Sequence, residues 1–361
     1  MRVLIVAKEG NRNTFVLNLK SALAKFSNVD CSIDKFWNSS DTYQIIHLQW
    51  PELLSFMISR KSFSPTNQRL KKIKKRLIYW KDKGTKLIIT RHNILPHHSS
   101  RNYEILYGII HEYIDGIIHF GSFSQNDFIK RYPHLNPKQI IIPHGWYDNI
   151  INKCTRKEAR DFLDISENTF VVLAFGAIRN NEEEQMLFKS FEKLPIENKL
   201  MLIPRGYFSN ENLLYRLMSF LSLKPYKKLL QSKAKQLIEK KIIWGQKFIE
   251  ENHIQYYFNA ADILIIPRID TLNSGNIPLG FSFKKVVVGP LSGNIGSILD
   301  ETSNPTFDPT SINSIIDAMI VGKQLSNELK GNKNYDFAEK NWNWHTISKQ
   351  HQSFFELVLS Q

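Results

Sequence analysis

Residues 261–289 read ADILIIPRIDTLNSGNIPLGFSFKKVVVG and are the most informative part of the chain. An apolar run at 263–266 is followed by a polar loop at 270–276 and by a β-branched run at 286–288. This order predicts a buried strand, a loop, a short helix and a second buried strand. Strands joined in this way are typical of a parallel α/β sheet, in which the loop lies at the carboxyl edge.

The loop carries Asn273, Ser274, Gly275 and Asn276 where the short helix is expected to begin. Unpaired backbone N–H groups at the start of a helix bind phosphate. The same residue types also form ordinary N-caps and turns. The loop alone therefore supports two interpretations, a phosphate-binding loop and a structural cap.

The composition is that of a globular protein large enough for two domains. The chain has 361 residues, of which 42% are hydrophobic and 23% are charged. Cys31 and Cys154 form no CxxC or metal-ligand spacing, so we expect structural thiols in a reducing compartment. The apolar run at residues 3–7 is too short for a signal peptide, and no stretch approaches the roughly 18 apolar residues of a membrane-spanning helix. We therefore expect a cytoplasmic protein that is not integral to a membrane.

The net charge is the one unusual bulk property. Lys and Arg number 48 against 34 Asp and Glu, which gives a formal charge of +14. Such an excess implies an anionic partner, which could be a nucleic acid, a phosphate-bearing substrate or an anionic lipid surface. The charge alone does not choose among these three classes.

Two series of strand-like apolar runs alternate with helix-like segments. The runs of the first series are at 3–7, 44–48, 87–90, 116–120 and 139–142, and those of the second at 170–175, 200–203, 241–244, 262–266 and 286–288. This alternation predicts an α/β protein with two tandem doubly wound, Rossmann-like domains that face a cleft.

The domain limits are expected near a polar connection at residues 145–165. We place a first domain at residues 1–150 and a second at residues 151–335. Residues 336–361 are rich in aromatic side chains, which argues against a disordered tail. They predict a C-terminal helix that docks back on the first domain.

Two arginines follow strands of the second series. Arg179 comes after the run at 170–175, and Arg205 comes after the run at 200–203. Both would lie on the same sheet edge as the loop at 273–276, and two guanidinium groups beside a helix start form a diphosphate site. Each arginine alone could equally be a solvated or salt-bridged loop residue.

At these residues the chain resembles the GT-B glycosyltransferases. In the second half the resemblance rests on IIWGQKFI at 242–249, YYFNAAD at 256–262 and LNSGN at 272–276. In the first half it rests on IHLQWPE at 46–52, TRHN at 90–93 and IPHG at 142–145. The chain is most similar to the family 4-like enzymes of bacterial surface polysaccharide assembly, and the resemblance covers nearly its whole length.

The resemblance implies a donor-binding second domain and an acceptor-side first domain. Arg179 and Arg205 would bind the diphosphate of a UDP- or GDP-linked sugar, and the loop at 273–276 would hold its phosphates and sugar. The backbone around Phe248 would read the base. His92 would reach toward the donor sugar or the acceptor hydroxyl.

No cofactor or metal is expected beyond the nucleotide-sugar co-substrate. Preorganised cations stabilise the charge that develops on a leaving nucleoside diphosphate. The sequence has no Asp-x-Asp pair for a divalent ion and no His/Cys cluster with zinc spacing. We therefore predict metal-independent transfer.

The sequence leaves the stereochemistry of transfer open. Typical family 4 members have two glutamates that frame the phosphate-binding helix, whereas residues 271–299 contain no carboxylate. If the enzyme inverts, a base must deprotonate the acceptor, and the candidates are His92 and Glu9. His47 and His144 also follow or end strands and are candidates for contacts with the acceptor or with the residues that bind the substrates. His92 could instead hold a loop in place through hydrogen bonds.

A basic segment at residues 69–81 predicts an amphipathic helix with an apolar stripe. Lys71, Lys72, Lys74 and Lys75 would face anionic lipid headgroups, with Trp80 at the membrane boundary. The alternative is an ordinary surface helix that packs its stripe on its own domain.

The preferred interpretation is a glycosyltransferase peripheral to the inner face of the cell membrane. It would move a hexose-type sugar to a lipid-linked or polysaccharide acceptor. The first alternative is a sugar-nucleotide epimerase of the same architecture, although the stretch at 271–299 lacks the carboxylates such an enzyme uses. The second is a basic nucleic-acid-binding protein, but no recognition motif supports it, and we expect no nucleic-acid partner.

Overall fold

The computed structural model contains two compact units. It describes residues 1–8, 13–55, 65–96, 100–205, 239–245 and 249–360. The first unit consists of residues 1–145, 271–273 and 341–361, and the second of residues 146–270 and 274–340. Each unit is built on a parallel β-sheet whose strands alternate with helices along the chain.

Six strands form the sheet of the first unit. They are β1 (Arg2–Val6), β2 (Asn28–Cys31), β3 (Ile45–Leu48), β4 (Lys86–Thr90), β5 (Gly116–His119) and β6 (Lys138–Ile141), in the spatial order β2-β1-β3-β4-β5-β6. All neighbouring strands are parallel. The four central strands are almost entirely buried, as expected for strands that are covered on both faces.

The helices between these strands begin at recognisable capping residues. They are α1 (Thr14–Leu23), α2 (Ile33–Asn38), α3 (Asn67–Asp82), α4 (Arg101–Tyr113) and α5 (Ser122–Arg131), with a 3-10 turn at Pro51–Ser55. The side chains of Asn13, Ser32 and Thr66 each accept a hydrogen bond from a backbone N–H in the first turn of α1, α2 and α3. These caps stabilise the helix starts locally.

The second unit repeats this architecture. Its strands are β7 (Phe170–Leu173), β8 (Lys199–Ile203), β9 (Ile242–Trp244), β10 (Ile263–Ile265), β11 (Val286–Pro290) and β12 (Thr306–Phe307), in the spatial order β12-β11-β10-β7-β8-β9. Its described helices are α6 (Arg156–Phe162), α7 (Asn181–Lys193), α8 (Glu251–Ala260), α9 (Asn276–Ser282), α10 (Gly293–Glu301), α11 (Ile312–Asn327) and α12 (Lys330–Asn341). All neighbouring strands are again parallel.

The predicted fold class is confirmed, because each unit is an α/β structure with a parallel six-stranded sheet. A strand is present at each of the ten predicted positions. The sequence pattern does not predict β2 and β12. The first of these strands reads NVDC and has no fully buried residue, and the second has only two residues. Both lie at a sheet edge, where a strand needs no continuous apolar run.

The C-terminal segment forms two helices instead of one. After α12 the helical conformation is interrupted. The next helix, α13 (Trp344–Leu359), is capped by Asn343, whose side chain accepts the N–H of Thr346. Residues 341–361 belong to the first unit. A Cβ atom on Gly116 would lie 2.9 Å from the ring of Phe354, so α13 packs directly against the backbone at the start of β5.

A buried charge cluster lies at the amino edge of the second sheet. Arg160 is fully buried, and its guanidinium donates to three backbone carbonyl oxygens. Its Nη2 lies 3.1 Å from Oδ2 of Asp262, and the same oxygen accepts the N–H of Val171 at 2.7 Å. Arg156 also contacts this carboxylate. Asp262 therefore joins α6 to the first residues of β7.

We expect Asp262→Asn to destabilise the protein strongly, because it leaves the buried guanidinium of Arg160 without a compensating charge. The expected loss of unfolding free energy is about 3 kcal/mol, measured by urea denaturation. Asp161→Asn is the matched control, since Asp161 is an exposed aspartate on α6, the helix that carries Arg160. It should change stability by less than about 0.5 kcal/mol. Equal stability of the two variants would contradict this role of Asp262.

Among the described residues of the first unit, six histidines have a pKa that is lowered mainly by burial. They are His47, His92, His111, His119, His144 and His351. Burial lowers the pKa of His111 to about 3, with Arg91 and His119 adding positive charge nearby. Neither ring nitrogen of His111 has a hydrogen-bond partner among the described residues. Folding of the first unit therefore favours the neutral form of these six imidazole rings.

Acid should consequently destabilise the fold. The folded-state pKa values lie below the unfolded value of about 6.5, so the stability is fully present above that pH and is lost as the pH falls toward the folded-state values. For His111, whose folded-state pKa is about 3, we expect a loss of about 1.5 kcal/mol between pH 6.5 and 5. Urea titrations at pH 7, 6 and 5 measure this dependence.

The variant His111→Phe should reduce the pH slope of the unfolding free energy by about one proton. His345→Phe, which replaces an exposed histidine of α13, is the matched control for the substitution itself. A stability that does not vary between pH 7 and 5 in the wild type would show that these histidines titrate normally.

Candidate active site

The second sheet has its topological switch point at β7. In the sheet, β7 lies between β10 and β8. Along the chain, β8 and β9 are added on one side of β7, and β10 is then added on its other side. At such a point the loops after neighbouring strands diverge and leave a crevice at the carboxyl edge. Arg179 follows β7, Arg205 follows β8 and Arg268 follows β10. The topology thus brings three arginines to the ends of three adjacent strands.

Glu183 joins two of these arginines. Its Oε2 lies 2.9 Å from Nη1 of Arg268 and accepts the backbone N–H of Arg179 at 2.8 Å. Nη2 of Arg268 donates to the carbonyl oxygen of Ala177 at 2.8 Å. Glu183 and Arg268 are both buried, and burial raises the pKa of the carboxyl group and lowers that of the guanidinium. Their contact compensates both charges.

The guanidinium of Arg179 takes no part in these hydrogen bonds. It has no hydrogen-bond or ion-pair partner among the described residues. Burial, reinforced by the neighbouring charge of Arg268, lowers the pKa of Arg179 to about 10, so the group stays cationic at neutral pH. Two guanidinium groups share one carboxylate, and this corner of the sheet therefore carries a net positive charge suited to an anion.

The loop after β7 turns at Gly176, whose φ is +110°. A side chain is strained in this backbone region, so glycine is required there. The turn brings the loop close to the start of α9, where the side-chain amide of Asn276 donates to the carbonyl oxygen of Phe175. A Cβ atom on Gly176 would lie 3.6 Å from that amide and 3.8 Å from Nη2 of Arg268.

The structure divides the predicted phosphate loop between the two units. Asn273 belongs to the first unit, where its Nδ2 donates to the carbonyl oxygens of His92 at 2.8 Å and Arg91 at 3.3 Å. Ser274 Oγ accepts the N–H of Asn276 at 3.3 Å, and Gly275 is the N-cap without a side-chain bond. The side chains of Asn273 and Asn276 therefore donate to backbone carbonyl oxygens, and the role of the four residues in holding the donor stays a prediction.

The other donor-side candidates are less defined. Arg205 follows β8 directly and is half-buried. Phe248, expected near the nucleotide base, and Glu9, expected as an alternative base, lie outside the described residues. Their assigned roles stay predictions.

His92 lies in an aromatic cluster of the first unit, just after β4. Its ring stacks on Trp50 with 4.2 Å between centroids, and Phe15 and Phe120 approach it edge-on at 5.3 and 5.1 Å. Nε2 of His92 lies 2.9 Å from Oε1 of Gln49. Burial lowers the pKa of this histidine well below its usual value, so the half-buried ring is neutral at physiological pH.

The two other histidine candidates have structural partners. His144 Nδ1 donates to the carbonyl oxygen of Gly145 at 2.7 Å, and burial lowers its pKa to about 4. His47 is fully buried with Nε2 2.8 Å from Thr90 Oγ1, and its ring lies 5.5 Å from that of Phe355 in α13. Contact between His47 and an acceptor is therefore excluded, because the side chain has no exposed surface.

The basic segment forms α3, and its apolar stripe is used within the first unit. Trp80 is fully buried and its Nε1 donates to the carbonyl oxygen of Phe36 at 3.1 Å. The prediction that Trp80 faces a membrane is therefore wrong, because its indole is part of the core. The predicted lysines of the opposite face are exposed: Lys71, Lys72, Lys74 and Lys75.

Arg268, Gln49 and Trp50 are missing from the sequence-based set of site residues. Arg268 directly follows the apolar run that ends at Pro267, so the rule that selects Arg179 and Arg205 also selects it. Gln49 and Trp50 follow β3 in the same way. Their contacts with His92 span more than 40 residues and have no local sequence signal.

The described part of the chain contains no helix long and apolar enough to cross a membrane. Nor do three or more His, Cys, Asp or Glu side chains come together there in a group that could hold a metal ion.

No protein-family model and no curated protein sequence matches this chain. Solved structures match it over almost its full length. Sucrose-phosphate synthase from Thermosynechococcus elongatus has a TM-score of 0.70 at 13% identity, with 100% of this chain and 99% of that one covered. HepE from Anabaena in complex with UDP has a TM-score of 0.67 at 15% identity, with coverages of 99% and 100%.

The catalytic domain of starch synthase IV from Arabidopsis thaliana, bound to ADP and acarbose, also matches. Its TM-score is 0.67 at 10% identity, with 100% of this chain and 99% of that one covered. At such identities the likeness establishes the fold alone. The chain has the two-sheet GT-B fold of these glycosyltransferases.

Proposed function

We propose that this protein is a glycosyltransferase that moves a hexose-type sugar from a UDP- or GDP-linked donor to a lipid-linked or polysaccharide acceptor. The carrying observation is the guanidinium of Arg179 at the switch point of a GT-B-fold sheet, which has no hydrogen-bond or ion-pair partner among the residues that the structure describes. Ligands of α/β sheets bind at this position. The sequence resemblance to family 4-like enzymes of surface polysaccharide assembly supports the choice of acceptor.

The chemistry assigned to this corner is stabilisation of the leaving group. When the glycosidic bond breaks, the nucleoside diphosphate gains negative charge. A cation already in place stabilises that charge without reorganisation, and a half-buried site strengthens the attraction. Arg179 would supply this cation, so the proposed transfer is metal-independent.

The donor class draws further support from the structural neighbours. HepE was solved with UDP, with UDP and glucose, and with UDP-glucose, whereas starch synthase IV was solved with ADP. A uridine diphosphate sugar is therefore the first donor to test, with guanosine and adenosine diphosphates beside it.

His92 is assigned to the acceptor side of the reaction. A neutral imidazole can accept the proton of an attacking hydroxyl, or it can hydrogen-bond the donor sugar. The stacked indole of Trp50 and the bond to Gln49 hold the ring in one orientation. Both an inverting and a retaining reaction can use this group, in the first case as base and in the second as a sugar contact.

Arg179→Ala should weaken the binding of UDP by roughly 10- to 100-fold, because charge-assisted hydrogen bonds are worth about 1.5–3 kcal/mol. Isothermal titration calorimetry with UDP, GDP and ADP measures the effect. Lys189→Ala is the matched control, since it removes the same charge from an exposed position of α7. Failure of the wild type to bind any nucleoside diphosphate would refute the proposed function.

The exposed lysines of α3 support a peripheral location at the cytoplasmic membrane face. Because Trp80 is buried, the proposed attachment is electrostatic and involves no inserted indole. Lys71, Lys72, Lys74 and Lys75 all project from the polar face of the helix. Such attraction weakens as salt screens the charges.

Replacing these four lysines of α3 by glutamine should reduce binding to vesicles that contain anionic lipids by at least about tenfold at low salt. Sedimentation with vesicles at low and high salt measures this effect. The control replaces four exposed lysines of the second unit, Lys153, Lys157, Lys189 and Lys193. Equal losses in both variants would point to net charge instead of a specific membrane-facing helix.

A further inference from the structure

One carboxylate oxygen connects two loops that leave different strands. Oε2 of Glu183 lies 2.8 Å from the backbone N of Arg179 and 2.9 Å from Nη1 of Arg268. Nη2 of Arg268 reaches back to the carbonyl oxygen of Ala177. These contacts close a ring of side chains and backbone around the loop after β7, which we name the Glu183–Arg268 bracket.

The bracket holds a segment that has no regular secondary structure. Residues 174–180 lie between the end of β7 and the start of α7 and include the positive-φ turn at Gly176. Outside the bracket, the amide of Asn276 donates to the carbonyl oxygen of Phe175, and Asn180 caps α7 by accepting the N–H of Glu183 at 2.8 Å. The backbone N–H of Arg179 itself donates to the carboxylate of Glu183 in the bracket.

Stability alone is a weak reason for a buried ion pair. Removing two charges from water costs free energy that their attraction only partly returns, and apolar residues of similar volume often serve as well. A planar guanidinium that donates to two different acceptors, however, fixes geometry in a way that apolar packing does not. Arg268 donates to Glu183 and to Ala177 in this manner.

The charge balance points the same way. Glu183 and Arg268 compensate each other, so the bracket is neutral as a whole. Arg179 is held by its backbone N–H, and its guanidinium contacts no hydrogen-bond or ion-pair partner within the described part of the chain. Arg179, Arg268 and Glu183 together therefore keep one net positive charge, which favours an anionic partner there.

We propose that Glu183 and Arg268 are positioning residues that hold Arg179 in the orientation in which its guanidinium binds the diphosphate of the donor. This inference rests on the proposed function. It adds that the affinity for the diphosphate depends on two residues that do not touch it. Arg179 binds the diphosphate, and the bracket determines the position of the Arg179 guanidinium.

The first test replaces the ion pair by apolar residues, in the double variant Glu183→Leu/Arg268→Met. We expect its affinity for UDP to fall at least about tenfold, close to that of Arg179→Ala. Adding Arg179→Ala to the double variant should then cause little further loss, because residues that act as a unit are not additive. Independent, additive losses would overturn the proposal.

A second variant covers the case in which the double variant does not fold. Arg268→Lys keeps the charge beside Glu183 but cannot span Glu183 and Ala177 with a planar fork. It should lower UDP affinity several-fold while the urea midpoint stays close to that of the wild type. Unchanged UDP affinity in this variant would also contradict the inference.

A measurement without nucleotide separates this inference from the proposed function. Hydrogen exchange of the Arg179 amide should be slow in the wild type and at least about tenfold faster in Glu183→Leu/Arg268→Met or Arg268→Lys, while exchange in β7 stays slow. If no nucleoside diphosphate binds the wild type, the proposed function fails and the exchange data still decide whether the bracket holds the loop. Equal exchange of this amide in all proteins would refute the bracket itself.

Discussion

The parallel pairing of β7 with β10 on one side and β8 on the other is the constraint on which the second unit depends. Val172 pairs with Ile263 and with Met201, so the first strand of this unit in the chain occupies the middle of its sheet. Because every strand runs the same way, every carboxyl end lies at one edge. The backbone alone therefore places an arginine that follows any of these strands at that edge, whatever its side chain contacts.

Backbone-determined features were predictable from the sequence to a large extent. The ten predicted strands are apolar runs, and most of them lie in strands that are covered on both faces and therefore need continuous apolar sequence. The edge strands β6 and β9 carry such runs as well. The rule that places Arg179 and Arg205 at the sheet edge applies equally to Arg268. The edge strands β2 and β12 carry no continuous apolar run and were not predicted, since burial does not dictate their sequence. Trp80 shows the opposite failure, because periodicity identifies an apolar stripe without saying what covers it.

Features that depend on side chains far apart in the chain were not predictable. The carboxylate of Glu183 and the guanidinium of Arg268 are 85 residues apart, and the acidic start of α7 reads as an ordinary helix N-terminus. Asn273 likewise has the sequence context of a cap, yet its amide donates to carbonyl oxygens 181 and 182 residues away. Such contacts follow from the assembled fold and carry no local pattern.

The guanidinium of Arg179, for which the described ranges of the chain supply no hydrogen-bond or ion-pair partner, also has a consequence for selectivity. A cation attracts any compact dianion and carries no information about the base or the sugar. Inorganic phosphate and pyrophosphate should therefore compete at this position, and affinities measured in phosphate buffer would be too low. Under the proposed function, the released nucleoside diphosphate keeps the whole anionic group that Arg179 attracts. The product would leave slowly and inhibit the next turnover, so flux through the enzyme would depend on how quickly the cell removes nucleoside diphosphate.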